Sequence, residues 1–168
     1  ILFDKTFKTM NFAPKIWHNT GSPGEPDFIA SLGADANYLF LRQGFCADQV
    51  ANKPVVKDIL DRFRELFGHE MLADAVRSFH APLVLADAIN RAGSTEPEAI
   101  RQALVETDLP GEYCLSPWEG IKFDPVTQQN VYAQNIICQI QEEDFVTVYP
   151  EEFATRESVY PFPSWEGR

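Results

Sequence analysis

The sequence predicts an α/β layer fold, a mainly parallel sheet flanked by helices. Three observations lead there. Helical periodicity and short apolar runs alternate from residue 1 to about 70, and long helical stretches then take over. The 168 residues are 45% hydrophobic, enough to supply the core of an ordinary domain.

Taken in order, Leu2, Phe3, Thr6, Phe7 and Met10 recur at helical spacing, with Asn11 as a stop. That pattern predicts a short helix packed through this face. After Pro14, the pair Ile16-Trp17 reads as a short buried strand running into the turn-rich loop from His18 to Gly24. Asp27 to Leu32 forms a helical turn closed by Gly33. Asn37 to Leu41 is an apolar run without strict alternation, as in a strand covered on both faces, and Gly44-Phe45-Cys46 ends it.

Asn52 as N-cap, Pro54 in the first turn, apolar residues from Val55 to Phe67 and Gly68 as stop define a helix. A second runs from about Leu72 to Ala92 and is closed by Gly93; its alanines suggest close packing. Thr95 and Glu98 have the spacing of a capping box that opens a third, which ends before Pro110-Gly111. Strand texture follows at Gly120–Asp124, Val131–Gln141 and Phe145–Tyr149. The proline-rich tail from Pro150 is expected to lie extended over a surface.

Charge narrows the function classes. Fourteen Lys and Arg against twenty-five Asp and Glu give a net charge of −11, which repels nucleic acid and anionic membranes. No apolar stretch approaches the roughly 20 residues that span a bilayer. The opening residues carry neither an initiator Met nor an export signal, so the chain is expected to be a fragment or processed product. Cys46, Cys114 and Cys138 are too few for a disulfide scaffold; a Cys114–Cys138 bridge and three unpaired thiols both remain open. His18, His69 and His80 are far apart, no pair has zinc spacing, and no cofactor is expected.

The carboxylate groupings have ordinary explanations: Glu96/Glu98 at a helix start, Asp58/Asp61 on a polar helix face, Glu142/Glu143/Asp144 at a hairpin turn. Gly21-x-x-Gly24 lacks the Lys-Ser/Thr of a phosphate loop, and no Gly-x-Ser-x-Gly elbow occurs. An enzyme is therefore not expected. In open α/β sheets ligands collect outside the carboxyl ends of parallel strands. His18-Asn19-Thr20-Gly21-Ser22 follows one such strand and Gln43-Gly44-Phe45 the next, so the two loops are expected to line one pocket. Thr20, Ser22 and glycine backbone groups offer donors and acceptors, with Trp17 or Phe45 covering an apolar part. The competing reading makes Trp17 and Phe45 core residues and the loop a connector.

The segments Asp48–Val56, Phe79–Gly93, Glu96–Leu104, Gly120–Asp124 and Gln129–Val131, in this order and spacing, resemble the leucine/isoleucine/valine-binding protein family of ABC-transporter solute receptors. The likeness runs from about residue 1 to 150. It implies the carboxyl-terminal portion of a type I periplasmic binding protein, a three-layer, Rossmann-like fold. Residues 1–70 would belong to the second ligand-binding lobe, 71–150 to a hinge-crossing helix and closing segments of the first lobe, and 151–168 to the tail. It further implies a periplasmic or extracellular protein that captures a small polar solute such as an amino acid or amide. Its partner would be a membrane permease, a homodimer being left open. Phe79 matches an aromatic near the family's cleft, although its spacing equally suits a core-facing position. In amino-acid-binding relatives the loop matching His18–Ser22 often carries an acid for the ligand ammonium, and here none of the five is acidic; Glu25 would substitute only if the loop bends. A ligand-sensing domain of a signalling or regulatory protein is the alternative reading, and an α/β enzyme a more distant one.

Overall fold

The computed structural model describes residues 1–21 and 24–167, without the side chains of Pro26 and Val55. In chain order the elements are α1 (Leu2–Thr9), β1 (His18–Asn19), α2 (Pro26–Leu32), β2 (Phe40–Gln43), α3 (Pro54–Phe67), α4 (Ala73–Ala92), α5 (Pro97–Val105), β3 (Asp108–Pro110), β4 (Gly120–Lys122), β5 (Ile136–Gln141) and β6 (Asp144–Tyr149). They group into two units: Ile1–Asn52 with Asn135–Arg168, and Lys53–Gln134. Residue 70 falls inside the second unit, and the segment 135–150 belongs with the chain's first 52 residues.

In the first unit the sheet runs β1-β2-β5-β6. Only β1 and β2 are parallel; β5 lies antiparallel to β2, and β6 antiparallel to β5. The α/β class is as expected, but the sheet is mixed. The reason is local: β5 and β6 are joined by Glu142 and Glu143, both at positive φ (55° and 63°), and so short a loop can only return the chain antiparallel. The buried core collects Phe28, Leu32, Leu39, Leu41, Cys46 and one face of β5, Ile136, Cys138 and Ile140.

The opposite face of β5 is polar yet buried, and the tail satisfies it. Gln139 Nε2 donates to Tyr38 O and Val159 O, both at 2.9 Å, while its Oε1 accepts from Val159 N at 2.8 Å. Gln141 Nε2 donates to Gln139 Oε1 and Glu157 O at 2.8 Å. Further along, Phe162 N donates to Lys15 O at 2.8 Å. Two glutamines thus bond the tail along β5, and Phe162 joins the core beyond them.

Helix α1 forms where its periodicity indicates, but the apolar face is not packed: Leu2, Phe3 and Met10 are exposed. Its inward contacts are Asp4, whose carboxylate accepts from Trp17 Nε1 at 3.2 Å, and Phe7, whose ring meets Trp17 edge-on at 4.9 Å. Ile16 is likewise exposed, so β1 begins at His18 rather than being built on a buried Ile16-Trp17 pair.

The second unit packs α4 against α5 beside the two-stranded antiparallel sheet β3–β4. Helix α3 ends at Gly68 (φ 74°) and α4 at Gly93 (φ 57°), the left-handed caps that glycine adopts without strain. Lys53, not Asn52, is the α3 N-cap. The expected Thr95–Glu98 capping box is not made: Glu96 is the N-cap, Ser94 Oγ accepts from its N–H at 3.1 Å, and Glu98 pairs with Arg101 at 2.6 Å. An arginine within reach competes for the carboxylate that a capping box needs.

Candidate functional site

Strands β1 and β2 pair in parallel register, His18 opposite Phe40 and Asn19 opposite Leu41. Parallel neighbours deliver their following loops to the same end of a sheet, so the loops after Asn19 and after Gln43 share one edge. Their closeness is visible at Gly24, where a Cβ would lie 2.9 Å from Gln43 Nε2. The loop after β1 is shaped by its own backbone. Asn19 Oδ1 accepts from Thr20 N at 2.8 Å, Gly21 adopts φ 80°, and Gly24 N donates to Gly21 O at 2.8 Å. Asparagine caps such turns and glycine permits the positive φ, which explains these residue types.

This edge presents the exposed His18, Thr20 and Gly21, the half-exposed Asn19 and the half-exposed amide of Gln43. Ser22, also expected here, lies outside the described residues. The chemistry on offer is hydrogen bonding: an imidazole, a hydroxyl, amides and backbone groups, with no carboxylate from His18 to Gly21. Glu25 is exposed at the start of α2.

The expected aromatic residues differ in exposure. Phe45 does follow β2, but only 2% of it is exposed, which leaves its ring little free surface. Trp17 packs against the core and hydrogen-bonds Asp4. Phe79 lies on α4, in the other unit, exposed at a groove of about 610 Å³ that it lines with Ile59, Phe63, Phe67 and Met71.

Sequence reasoning passed over the residue after Phe79. His80 is buried on α4: its Nε2 accepts from Leu115 N at 2.9 Å and its ring lies 5.2 Å from Trp118. Burial first, and the Lys53 ammonium second, lower its pKa to about 4, so the imidazole is neutral at pH 7. Lys53 itself donates to Ser116 O at 2.8 Å and Gly111 O at 3.0 Å, with Cys114 O and Trp118 O at 3.2 Å. Burial lowers its pKa as well. A helical spacing that suits many side chains gives no sign of which one is sealed in; only the 111–118 loop, folding back over α3 and α4, does that.

Among the described residues no group of three or more His, Cys, Asp or Glu side chains is placed to hold a metal ion. Among the described residues no helix is long and apolar enough to cross a membrane.

No protein-family model matches the sequence. Solved structures do match. The leucine-binding protein LivK of Thermotoga maritima is 20% identical with a TM-score of 0.70, over 87% of this chain and 39% of that one. LivJ of Streptococcus pneumoniae, a branched-chain amino acid transporter substrate-binding protein solved with isoleucine, is 17% identical with a TM-score of 0.64, over 86% of this chain and 40% of its own. The leucine-, isoleucine-, valine-, threonine- and alanine-binding protein of Brucella ovis, in a closed conformation, is 14% identical with a TM-score of 0.64, over 98% of this chain and 39% of its own. The chain therefore spans about two fifths of the length of these proteins. What it shares with them is the type I periplasmic-binding-protein fold.

Proposed function

We propose that this chain, having the type I periplasmic-binding-protein fold, is the carboxyl-terminal portion of the substrate-binding component of an ABC uptake transporter. It would capture a small polar solute outside the cytoplasmic membrane and pass it to a membrane permease without chemical change. The observation that carries this reading is the parallel pairing of β1 and β2, which brings two hydrogen-bonding loops to one edge of the sheet. In the proposal, His18, Asn19, Thr20, Gly21 and Ser22 contact the solute alongside Gln43, and Phe45 backs the loops from inside. The unit Ile1–Asn52 with Asn135–Arg168 is assigned to the second lobe and Lys53–Gln134 to the first. A solute that favours the closed arrangement of the lobes shifts their equilibrium, and the permease reads the closed form.

The donor set also bears on the solute. A buried ammonium without a partnering charge is costly. With no carboxylate between His18 and Gly21, the edge suits a neutral amide, a urea-like compound or an aromatic acid better than a standard branched-chain amino acid. Thermal-shift screening of the full-length protein against amino acids, amides and aromatic acids tests this. One class should raise the midpoint, by an amount equivalent to about 2.7 kcal/mol at a hundredfold excess over Kd, and the solute should be recovered unaltered. Stabilisation by none of the three classes, or turnover of the bound compound, would count against a carrier.

A further inference from the structure

The thiols of the first unit are not scattered as their sequence positions suggest. Along β5, Ile136, Cys138 and Ile140 alternate onto the core face, and all three are fully buried. Cys138 pairs with Leu41 on β2, and the chain leaving β2 brings Cys46 into the same core cluster. There the Cys46 thiol donates to Phe145 O at 3.4 Å, and Phe145 on β6 pairs with Ile140, two residues beyond Cys138 on β5. The neighbouring Cys138 thiol, ahead of burial, raises the Cys46 thiol well above its ordinary pKa. Cys114, by contrast, sits in the core of the other unit with Val84 and Ile121.

We propose that Cys46 and Cys138 form a disulfide when the protein folds in the presence of a disulfide oxidant, stapling the segment after β2 to the centre of β5. The carrier reading enters only through the oxidising compartment it implies. In the reaction one cysteine thiolate attacks the oxidant's disulfide, releasing one oxidant thiol and leaving a mixed disulfide. The second cysteine then displaces the remaining oxidant thiol. The protein pair loses two electrons and two protons, and the oxidant's two sulfurs gain them. A buried thiol held in its protonated form is a poor nucleophile, so the bond closes while the core is still assembling. Once closed it constrains a long loop of the unfolded chain, which favours the folded state.

The test is to refold the denatured, reduced full-length protein with glutathione disulfide and map tryptic peptides without reduction. The expected product joins peptide 43–57 to peptide 123–156, weighs two hydrogens less than the separate peptides, and disappears in Cys46→Ala but persists in Cys114→Ala. Reducing the linked protein should lower its melting midpoint. Folded protein with both thiols free, a bridge through Cys114, or equal midpoints before and after reduction would overturn the proposal. The wild-type map decides the matter even if a variant does not fold. Because it needs no solute, it is independent of the ligand screen, and the two readings fail separately.

Discussion

The two units hold their buried polar groups in different ways. In Ile1–Asn52 with Asn135–Arg168, polar side chains bond partners far away in sequence. Asp48 accepts from Thr147 N at 2.6 Å, from Thr147 Oγ1 at 2.8 Å and from the Thr155 hydroxyl, while Gln49 Nε2 donates to Thr147 Oγ1 at 2.8 Å and Phe153 O at 2.9 Å. In Lys53–Gln134 the organising cation, Lys53, holds a single loop, and His80 Nδ1 and Ser116 Oγ are buried with no hydrogen-bond partner among the described residues. Its α3–α4 groove is open and apolar, whereas the edge after β1 and β2 is polar and shaped by turns. The first unit is thus specified by exact polar pairing across the sheet, the second by helix packing around one anchored loop. The polar edge of the first offers directional hydrogen-bonding groups of the kind that the proposed small polar solute requires.

This contrast can be sharpened by substitution. Asp48→Ala should cost the most, about 3 kcal/mol in urea unfolding, because several donors lose a charged acceptor at once. A cost near zero would show that the cross-sheet network is dispensable. Lys53→Met should cost about 2 kcal/mol by the same measurement, since it strips the 111–118 carbonyls of their donor. His80 makes the second unit acid-sensitive. Its folded pKa of about 4 lies below the ordinary 6.5, so the unfolded chain binds the proton first and stability falls as pH drops from 6.5 towards 4. The slope should reach roughly 1.4 kcal/mol per pH unit and vanish in His80→Phe. Thr20→Ala should shift the unfolding midpoint by less than about 0.5 kcal/mol, as an exposed side chain, while weakening solute binding about tenfold.

What the sequence made legible was local. Pro54, Gly68 and Gly93 bound α3 and α4 because a helix end is decided by the few residues around it. The Glu142-Glu143 turn was legible for the same reason, and so were the polar loops placed by two strands close together in the chain. Features set by distant partners were not. Leu2, Phe3 and Met10 have a packing periodicity without a packed face, and β3 was missed because it exists only by pairing with β4. The sheet became mixed because β5 arrives antiparallel to β2 from almost a hundred residues away. Phe45 shows the limit: the sequence placed it just after β2, as the structure does, but its burial depends on what packs over it.

The account depends most on solute binding at the edge formed by the loops after β1 and β2. Hydrogen exchange of the full-length protein, with and without the solute found by screening, reads this directly. Slowed exchange at residues 18–21 and 43–46, with the groove around Phe63 unchanged, is the predicted result. Protection at that groove, with residues 18–21 exchanging as before, would contradict it.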